Sequence, residues 1–114
     1  MTKDFLYIMI AGPYRGGSED RAQWKLNHEE MNRLAYEVHL KGHVPVIGVN
    51  VALPIIESVG FETFDELMMP ISLAMAERCD AVLRIGGPSE GADQEVEVFQ
   101  KKGLPIYYDL NDIP

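Results

Sequence analysis

Short apolar runs alternate with longer amphipathic stretches along the whole chain of 114 residues. The runs are bounded by polar residues, glycine or proline, as expected of strands: Phe5–Ala11, Val44–Val49, Ala81–Ile85 and Pro105–Tyr108. Strands alternating with helices predict a parallel sheet covered on both faces, because parallel neighbours need a crossover connection. We therefore expect one domain over residues 1–114, a three-layer α/β/α fold with a flavodoxin- or Rossmann-like parallel sheet of four to five strands.

The first amphipathic stretch, residues 19–41, predicts a long helix. Ser18 is a candidate N-cap before it, and Gly42 follows it as a stop signal. Its apolar positions recur at helical spacing and are Trp24, Met31, Leu34, Ala35 and Val38.

The second half of the chain has weaker helix signals. Residues 50–63 lack clean periodicity and predict a loop with at most one helical turn. Helical spacing returns at Phe64, and Pro70 either kinks this helix or begins a new one. A helix is predicted over residues 70–79 in either case, and a last one over residues 91–102.

The charge balance argues against a nucleic-acid polymer as partner. Eighteen acidic residues against ten basic ones give a net charge of −8, which repels phosphate backbones. No segment approaches the roughly 20 apolar residues that a membrane span needs. The beginning of the chain has no signal-peptide pattern, so we expect a cytoplasmic protein without membrane contact.

Few side chains are candidates for metal binding. The single cysteine, Cys79, excludes an internal disulfide and a Cys-based zinc site, and we interpret it as a buried small hydrophobe. His28, His39 and His43 have no paired metal-ligand spacing. We expect neither a metal nor a cofactor.

Two glycine-rich segments, Gly12–Ser18 and Gly86–Gly91, follow the first and third predicted strands. In a parallel sheet both lie at the carboxyl edge, and each leads into a helix N-terminus that favours an anion. They predict either a phosphate site or simply tight turns. Arg15, among the first glycines, either grips such an anion through a bidentate fork or is a solvated loop charge.

Glu95 is the candidate catalytic acid, close to the start of the last helix with Glu90 and Asp93 nearby. A carboxylate there gains from the helix dipole and is expected to stay ionised, as a nucleophile requires. The alternative is that acids in a first turn only stabilise the helix.

The segments IAGPYRGGSED, residues 10–20, and CDAVLRIGGPSEGADQE, residues 79–95, together resemble the nucleoside 2-deoxyribosyltransferase superfamily. They are similar to its first and third strand-loop-helix units, above all in the branch of small 2'-deoxynucleoside 5'-phosphate N-hydrolases. The resemblance covers most of the chain, and residues 50–70 match poorly.

The resemblance implies an enzyme of nucleotide metabolism, an N-glycosidase (nucleoside hydrolase) or a nucleoside deoxyribosyltransferase, acting without a cofactor. Its substrate would be a small nucleoside or nucleoside 5'-monophosphate. The family pattern Ser-x-Gly-x-x-x-Glu falls on residues 89–95, so Glu95 takes the role of the nucleophile that attacks C1'. The predicted substrate-binding residues, several of them at the 5'-phosphate, are Gly12, Tyr14, Arg15, Gly16, Gly17, Ser89, Gly91 and Asp93.

One departure from the family bears on catalysis. The family's second carboxylate, an aspartate that helps the base to leave, falls on Ser72. Candidate replacements are Asp65, Glu66 and Asp93. The alternative function is therefore a non-catalytic nucleotide-binding module that has lost this acid, and a plain homo-oligomeric domain is a third reading.

A second departure concerns a tyrosine of the first strand. In the hydrolase branch this tyrosine occupies the position of Met9. Tyr7 and Tyr14 are the nearby tyrosines that could reach the site instead.

Apolar residues in two further stretches, 51–56 and 68–71, are expected to be exposed. The core of a small sheet leaves such surface uncovered, and apolar surface of this extent usually finds a partner. The sequence therefore predicts a homodimer, the commonest symmetric assembly.

Overall fold

The computed structural model describes residues 4–114. Over this range it has an all-parallel, four-stranded sheet in the order β2-β1-β3-β4, flanked by helices, which confirms the predicted α/β fold. The strands are β1 (Tyr7–Ala11), β2 (Val44–Val46), β3 (Ala81–Arg84) and β4 (Ile106–Tyr107). The helices are α1 (Arg21–Leu40), α2 (Gly48–Val59), α3 (Phe64–Ala76) and α4 (Glu90–Lys102), with 3-10 turns at Phe61–Thr63 and Leu110–Asp112.

The core lies on both faces of the sheet. Ile8 and Ile10 of β1 pack with buried residues of α1 and α2, while Met9 and Ala11 pack with α4. Because side chains alternate between the faces of a strand, a strand covered on both sides reads as a continuous apolar run. This explains why β1 was evident in the sequence.

The prediction of a loop over residues 50–63 was wrong, because most of this segment forms α2. Pro54 lies inside this helix, and apolar residues on its exposed side obscured the helical spacing of its buried residues Val49, Ala52 and Ile56. Ala52 and Ile56 are fully buried, whereas Val51 and Ile55 are exposed. The helical spacing was therefore present in the sequence, and the proline inside the segment does not prevent the helix.

Several element boundaries also differ from the sequence-based expectation. Asp20, not Ser18, caps α1, since its side chain accepts a hydrogen bond from the Ala22 N–H. The second strand ends at Val46 rather than Val49, because Ile47 is the N-cap of α2 and the helix begins at Gly48. Pro70 neither begins nor ends a helix, and α3 runs through it.

Both stretches expected to be exposed, 51–56 and 68–71, are exposed only in part. The outer face of α2 exposes Val51, Ile55 and Val59, but Met68 of α3 is buried in the core. Within residues 4–114, none of the helices has the length and apolar character required to span a bilayer.

The two glycine-rich loops meet where the strand order reverses, between β1 and β3. The Ile85 N–H donates to the Ala11 carbonyl, which continues the pairing of β1 and β3 to the start of the loops. A Cβ atom at Gly12 would lie 2.8 Å from the Ile85 side chain, and one at Gly86 would lie 2.7 Å from Pro13 Cδ. Glycine at both positions therefore lets the two loops pack together.

Gly86→Ala should lower the free energy of unfolding by about 1–3 kcal/mol, measured by urea denaturation. Gly86 has a φ of +76°, and its new methyl group would overlap the Pro13 ring. Gly87→Ala is the matched control, because nothing lies within 4 Å of the added atom. Its effect should stay below about 0.5 kcal/mol, and equal losses in the two variants would contradict this packing.

Candidate functional site

A cavity of about 540 Å³ opens at the carboxyl edge of the sheet. It lies between the two glycine-rich loops and the N-terminal parts of α2, α3 and α4, at the position where doubly wound sheets bind ligands. Its volume is typical of a small-molecule site. The predicted site residues in its lining are Gly12, Tyr14, Arg15, Gly16, Gly17, Ser89, Gly91 and Glu95.

Asp93 is the predicted site residue that the lining of this cavity does not include. Its side chain is 71% exposed and forms an ion pair with Arg84, at 3.2 Å between Oδ1 and Nη2. Asp93 borders a neighbouring groove with Arg84 instead. The geometry thus separates Asp93 from the residues around Glu95.

Glu95 and Ser72 are the buried polar side chains of the described residues, and both line the cavity. The Glu95 carboxylate has no hydrogen-bond partner among residues 4–114, and none of its oxygens is sealed from the cavity. An unpaired carboxylate in such a place is available to a bound molecule. Among the described residues, Glu95 is therefore the one buried acid of the cavity lining.

Burial raises the pKa of Glu95 to about 8, and the nearby positive charge of Arg84 partly opposes this rise. The expectation that Glu95 stays ionised was therefore wrong for the unliganded protein at neutral pH. Glu95 is the sixth residue of α4, beyond the first turn to which the dipole effect is largely confined. Desolvation consequently outweighs the dipole.

The loop after β1 forms a turn that frees two backbone donors. The Ser18 N–H donates to the Arg15 carbonyl at 3.0 Å, and Gly16 and Gly17 between them have φ values of +60° and +77°. These are the features of a type I' turn, which glycine adopts without strain. Among residues 4–114, no acceptor is found for the Gly16 and Gly17 N–H groups.

The N-terminus of α4 supplies a second pair of donors. Ser89 is the N-cap, and its hydroxyl accepts from the Ala92 N–H at 3.1 Å. The N–H groups of Glu90 and Gly91 find no acceptor in the described part of the chain. Both loops thus present free N–H groups at the cavity, an arrangement that suits an anion.

Arg15 lies at the mouth of the cavity and is held there by two neighbours. Its guanidinium carbon is 3.7 Å from the centroid of the Phe64 ring, and Nη2 is 3.3 Å from Asp65 Oδ1. Tyr14 stacks on the same Phe64 ring at 6.1 Å. Arg15 is therefore an anchored positive charge beside the free N–H groups rather than a freely moving surface residue.

None of the candidate replacements for the missing acid is buried with Glu95. Asp65 lines the cavity, but its side chain is 94% exposed. Glu66 is exposed and absent from the lining, and Asp93 faces the neighbouring groove. Ser72 occupies the position of the family's second carboxylate. It packs closely on Gly48, and a Cβ atom at position 48 would overlap the Ser72 hydroxyl.

Of the tyrosines considered for the first strand, Tyr14 is the one that lines the cavity. Burial is the main cause that raises the Tyr14 pKa. Tyr7 begins β1 and lies at the opposite edge of the sheet, and Met9 is fully buried on the α4 face.

The cysteine and the histidines have structural surroundings. Cys79 is buried, and this raises the pKa of its thiol to about 11, in keeping with a small core residue. His43 Nδ1 accepts a hydrogen bond from the Leu6 N–H, and His28 pairs with Asn50. Within residues 4–114, no three His, Cys, Asp or Glu side chains are grouped as metal ligands.

Two residues, one in the cavity lining and one in the groove beside it, were missed from the sequence. The Phe64 ring packs against the Arg15 guanidinium, but the spacing of Phe64 in the sequence indicated only a helix. Arg84 was read only as a strand residue, although its guanidinium bonds the loop carbonyls of Ile85 and Gly87. A charged residue at the carboxyl end of an apolar strand was the one available signal.

No model of a known protein family matches the chain, and no curated protein matches it either. The resemblance to the nucleoside 2-deoxyribosyltransferase superfamily therefore stays a prediction. The function is argued below from the geometry of the cavity.

The stability of the protein should depend on pH through Glu95. Between about pH 4.5 and 8 the folded protein keeps the Glu95 proton that the unfolded chain releases, so this contribution to stability falls as the pH rises. Glu95→Gln lacks this titration. Its free energy of unfolding, measured by urea denaturation across this range, should rise relative to the parent by up to about 1.4 kcal/mol per pH unit.

Glu97→Gln is the control for this measurement, because Glu97 lies exposed on the same helix. Its difference from the parent should stay within about 0.5 kcal/mol at every pH. A Glu95→Gln difference that is equally independent of pH would contradict the proposed protonation of Glu95.

Proposed function

We propose that the protein cleaves or exchanges the N-glycosidic bond of a nucleoside or nucleoside 5'-monophosphate, with Glu95 as the nucleophile. The observation that carries this proposal is a buried, unpaired carboxylate in a cavity whose rim presents free backbone N–H groups and an arginine. The sequence resemblance supports the same reaction.

In this proposal the 5'-phosphate binds at the meeting point of the two glycine-rich loops. The N–H groups of Gly16, Gly17 and Gly91 donate to its oxygens, and the Arg15 guanidinium balances its charge. Anchoring one end of the substrate in this way brings its sugar towards Glu95. Such positioning lowers the barrier because the reacting groups are already held together in one complex.

The chemical step is a displacement at C1'. The ionised Glu95 oxygen forms a bond to C1', and the base departs with the electron pair of the glycosidic bond. Water or a second base then attacks C1' and releases Glu95, so the configuration is retained overall. With a pKa of about 8, about one Glu95 in ten is ionised at pH 7, and the positive charge that develops on the sugar favours this form.

Glu95→Gln should abolish the reaction while leaving binding largely intact. The amide keeps the shape of the side chain but cannot supply the attacking charge, so base release should fall by several orders of magnitude. The measurement incubates the parent with ribo- and deoxyribonucleosides and their 5'-monophosphates, and follows free base by chromatography. Glu90→Gln is the control, since Glu90 also lines the cavity but is exposed.

Base release by Glu95→Gln within a few-fold of the parent would reject Glu95 as the nucleophile. Equal losses in Glu90→Gln and Glu95→Gln would indicate a general effect of charge at this helix rather than a nucleophile.

Arg15→Ala should weaken binding of a 5'-monophosphate by about 1.5–3 kcal/mol, the worth of a hydrogen bond to a charged group. Binding of the corresponding nucleoside should hardly change. Calorimetric titration with both ligands makes the comparison. Arg33→Ala serves as the control because Arg33 pairs with Glu30 on the surface of α1. Equal losses for both ligands would reject the phosphate role of Arg15.

A non-catalytic nucleotide-binding module is the alternative, and one observation favours it. Ser72 is buried beside the cavity at the position where the resemblance implies a second carboxylate. Among the described residues, Glu95 is the one acid buried there. A general acid at the leaving group contributes on the order of 10²–10⁴ in rate. Measurable binding without base release from any substrate would favour this alternative.

We also propose that the protein works as a homodimer in the cytoplasm. Support for the dimer comes from the exposed apolar residues on one face of α2: Val51, Ile55 and Val59. The net charge of −8 and the free, buried Cys79 fit a reducing compartment with small-molecule ligands.

A further inference from the structure

Helix α2 begins at the cavity without a capping side chain, in contrast to α1 and α4. Its N-cap is Ile47, whose side chain cannot accept a hydrogen bond. Gly48 and Val49 follow it, and both residues line the cavity. Among residues 4–114, no acceptor is found for the N–H groups of these two residues. The start of α2 therefore has two unused donors and the partial positive charge of a helix N-terminus.

The one polar side chain in the first turn of α2 is engaged elsewhere. Asn50 Nδ2 donates to Asn32 Oδ1 at 2.8 Å, and Asn50 Oδ1 lies 2.6 Å from His28 Nε2. The backbone N–H of Asn50 donates to the Ile47 carbonyl at 3.1 Å. Asn50 thus leaves the two preceding N–H groups uncovered.

Ser72 of α3 places a hydroxyl group beside this helix start. The two helices approach each other so closely here that a Cβ atom on Gly48 would overlap Ser72 Oγ. Ser72 is 3% exposed and lines the cavity. Its hydroxyl has no hydrogen-bond partner among the described residues, and the oxygen is not sealed from the cavity.

The hydroxyl of Ser72 does not bond to its own helix either. A serine inside a helix can donate to the carbonyl four residues before it, and Ser58 of α2 does so, to Pro54 at 2.9 Å. No corresponding bond from Ser72 to Met68 is found in the part of the chain that the structure describes. A buried hydroxyl without a partner is unfavourable unless a bound molecule supplies one. The Ser72 hydroxyl is available for such a molecule.

The starts of α2 and α4 lie on either side of the end of β1. The strands that precede these helices, β2 and β3, are both neighbours of β1, so they are two strand spacings, or roughly 10 Å, apart. The cavity therefore has two separate groups of donors. One consists of the loop after β1 with the start of α4, and the other of the start of α2 with Ser72. A ligand that fills both needs an electron-rich group at each end.

The surroundings of the second group favour a carbonyl oxygen on an apolar ring rather than a second phosphate. Arg15 is the one cation of the cavity lining among residues 4–114, and Phe64 and Asp65 hold it at the mouth. A full negative charge at the start of α2 would therefore have no cation beside it. The lining also includes the apolar residues Ile10, Met31, Ile47, Val49 and Met68. A flat ring with a neutral oxygen suits such walls, because its apolar faces lose little on leaving water.

We propose that the N–H groups of Gly48 and Val49 and the hydroxyl of Ser72 form a second subsite of the cavity, which binds a carbonyl oxygen of a planar oxo ring. In the reaction proposed above, this ring is the base. The inference rests on the proposed function for the identity of the ring, but the preference for an oxygen acceptor follows from the donors themselves. The substrate would then be a nucleotide with an oxo base rather than one with only amino groups.

The subsite also offers a way to help the base to leave without the carboxylic acid that Ser72 replaces. When the bond from C1' to the ring nitrogen breaks, the base takes the electron pair, and conjugation moves part of the negative charge to its carbonyl oxygen. Donors already aimed at that oxygen stabilise the developing charge. The water or second base that later attacks C1' loses a proton, and this balances the proton that the departed base takes up.

An NMR titration of the parent protein tests the subsite and needs no turnover. Uracil is the probe because both of its exocyclic groups are carbonyls, and the comparison ligand is 2,4-diaminopyrimidine, which has amino groups in their place. Uracil at millimolar concentration should move the amide proton resonances of Gly48 and Val49 downfield. The Ala22 amide, which already donates to Asp20, is the internal control. Absence of these shifts with uracil, or equal shifts with the diamino ring, would overturn the proposal.

Ser72→Ala removes one of the proposed donors and should lower the affinity for uracil about tenfold, which is the effect of one hydrogen bond. Ser58→Ala is the matched control, because Ser58 is exposed on α2 and bonds only within its helix. Its affinity for uracil should stay within about twofold of the parent. An unchanged affinity in Ser72→Ala would show that this serine only fills space beside Gly48, and the proposal would be wrong.

Inorganic phosphate serves as a probe for the other end of the cavity. Its binding, followed on the amide resonances of Gly16 and Gly17, should agree within about twofold between Ser72→Ala and the parent, because the two groups of donors are separate. Equal losses for phosphate and uracil would indicate a general disturbance of the cavity and would count against a distinct subsite.

The rate of base release tests the assistance to the leaving group. In Ser72→Ala, kcat for a nucleotide with an oxo base should fall at least about tenfold, because the lost donor acts on charge that develops during the reaction. Ser58→Ala should keep the kcat of the parent. A raised KM with unchanged kcat in Ser72→Ala would mean that the hydroxyl only binds the base, and the assistance to its departure would be rejected.

These experiments distinguish the subsite from the proposed function. If no nucleoside or nucleotide releases base, the proposed function fails, while the uracil titrations still decide whether the subsite exists. If base release depends on Glu95 but the Gly48 and Val49 resonances do not respond to uracil, the proposed function stands and the subsite is wrong.

Discussion

The parallel pairing of β1 with β3 is the constraint on which the candidate site depends. Parallel neighbours end at the same edge, and here the register pairs Ala11 with Arg84, so the two glycine-rich loops begin side by side. Glycine at positions 12 and 86 then allows the loops to pack in direct contact, because a side chain at either position would overlap the other loop. The free N–H groups, Arg15 and the start of α4 are brought together by this pairing.

Within that frame, the chemistry of the site is set by a competition between burial and charge. Desolvation favours the protonated form of Glu95, and Arg84 favours the ionised form. Burial is the larger effect, which leaves Glu95 poised between its two states near neutral pH. An acid in this condition is typical of functional sites, because purely structural carboxylates are more often paired or exposed.

Much of the fold followed from local signals in the sequence. The continuous apolar runs predicted β1 and β3, since strands buried on both faces have no polar positions. The segment that became α2 was mispredicted, because Pro54 lies inside it and the apolar residues on its exposed side hid the helical spacing of its buried face. Pro70 likewise lies inside α3, although proline usually marks a helix boundary.

The sequence by itself determined the α/β alternation, the two glycine-rich loops and the candidate residues from Gly12 to Gly17 and from Ser89 to Glu95, because each depends on neighbours in the chain. Only the tertiary structure decided that Glu95 is buried and mostly protonated, that Asp93 pairs with Arg84 outside the cavity, and that Phe64 anchors Arg15. These properties arise between side chains far apart in the sequence, whose distances and solvent exposure exist only once the helices have packed on the sheet.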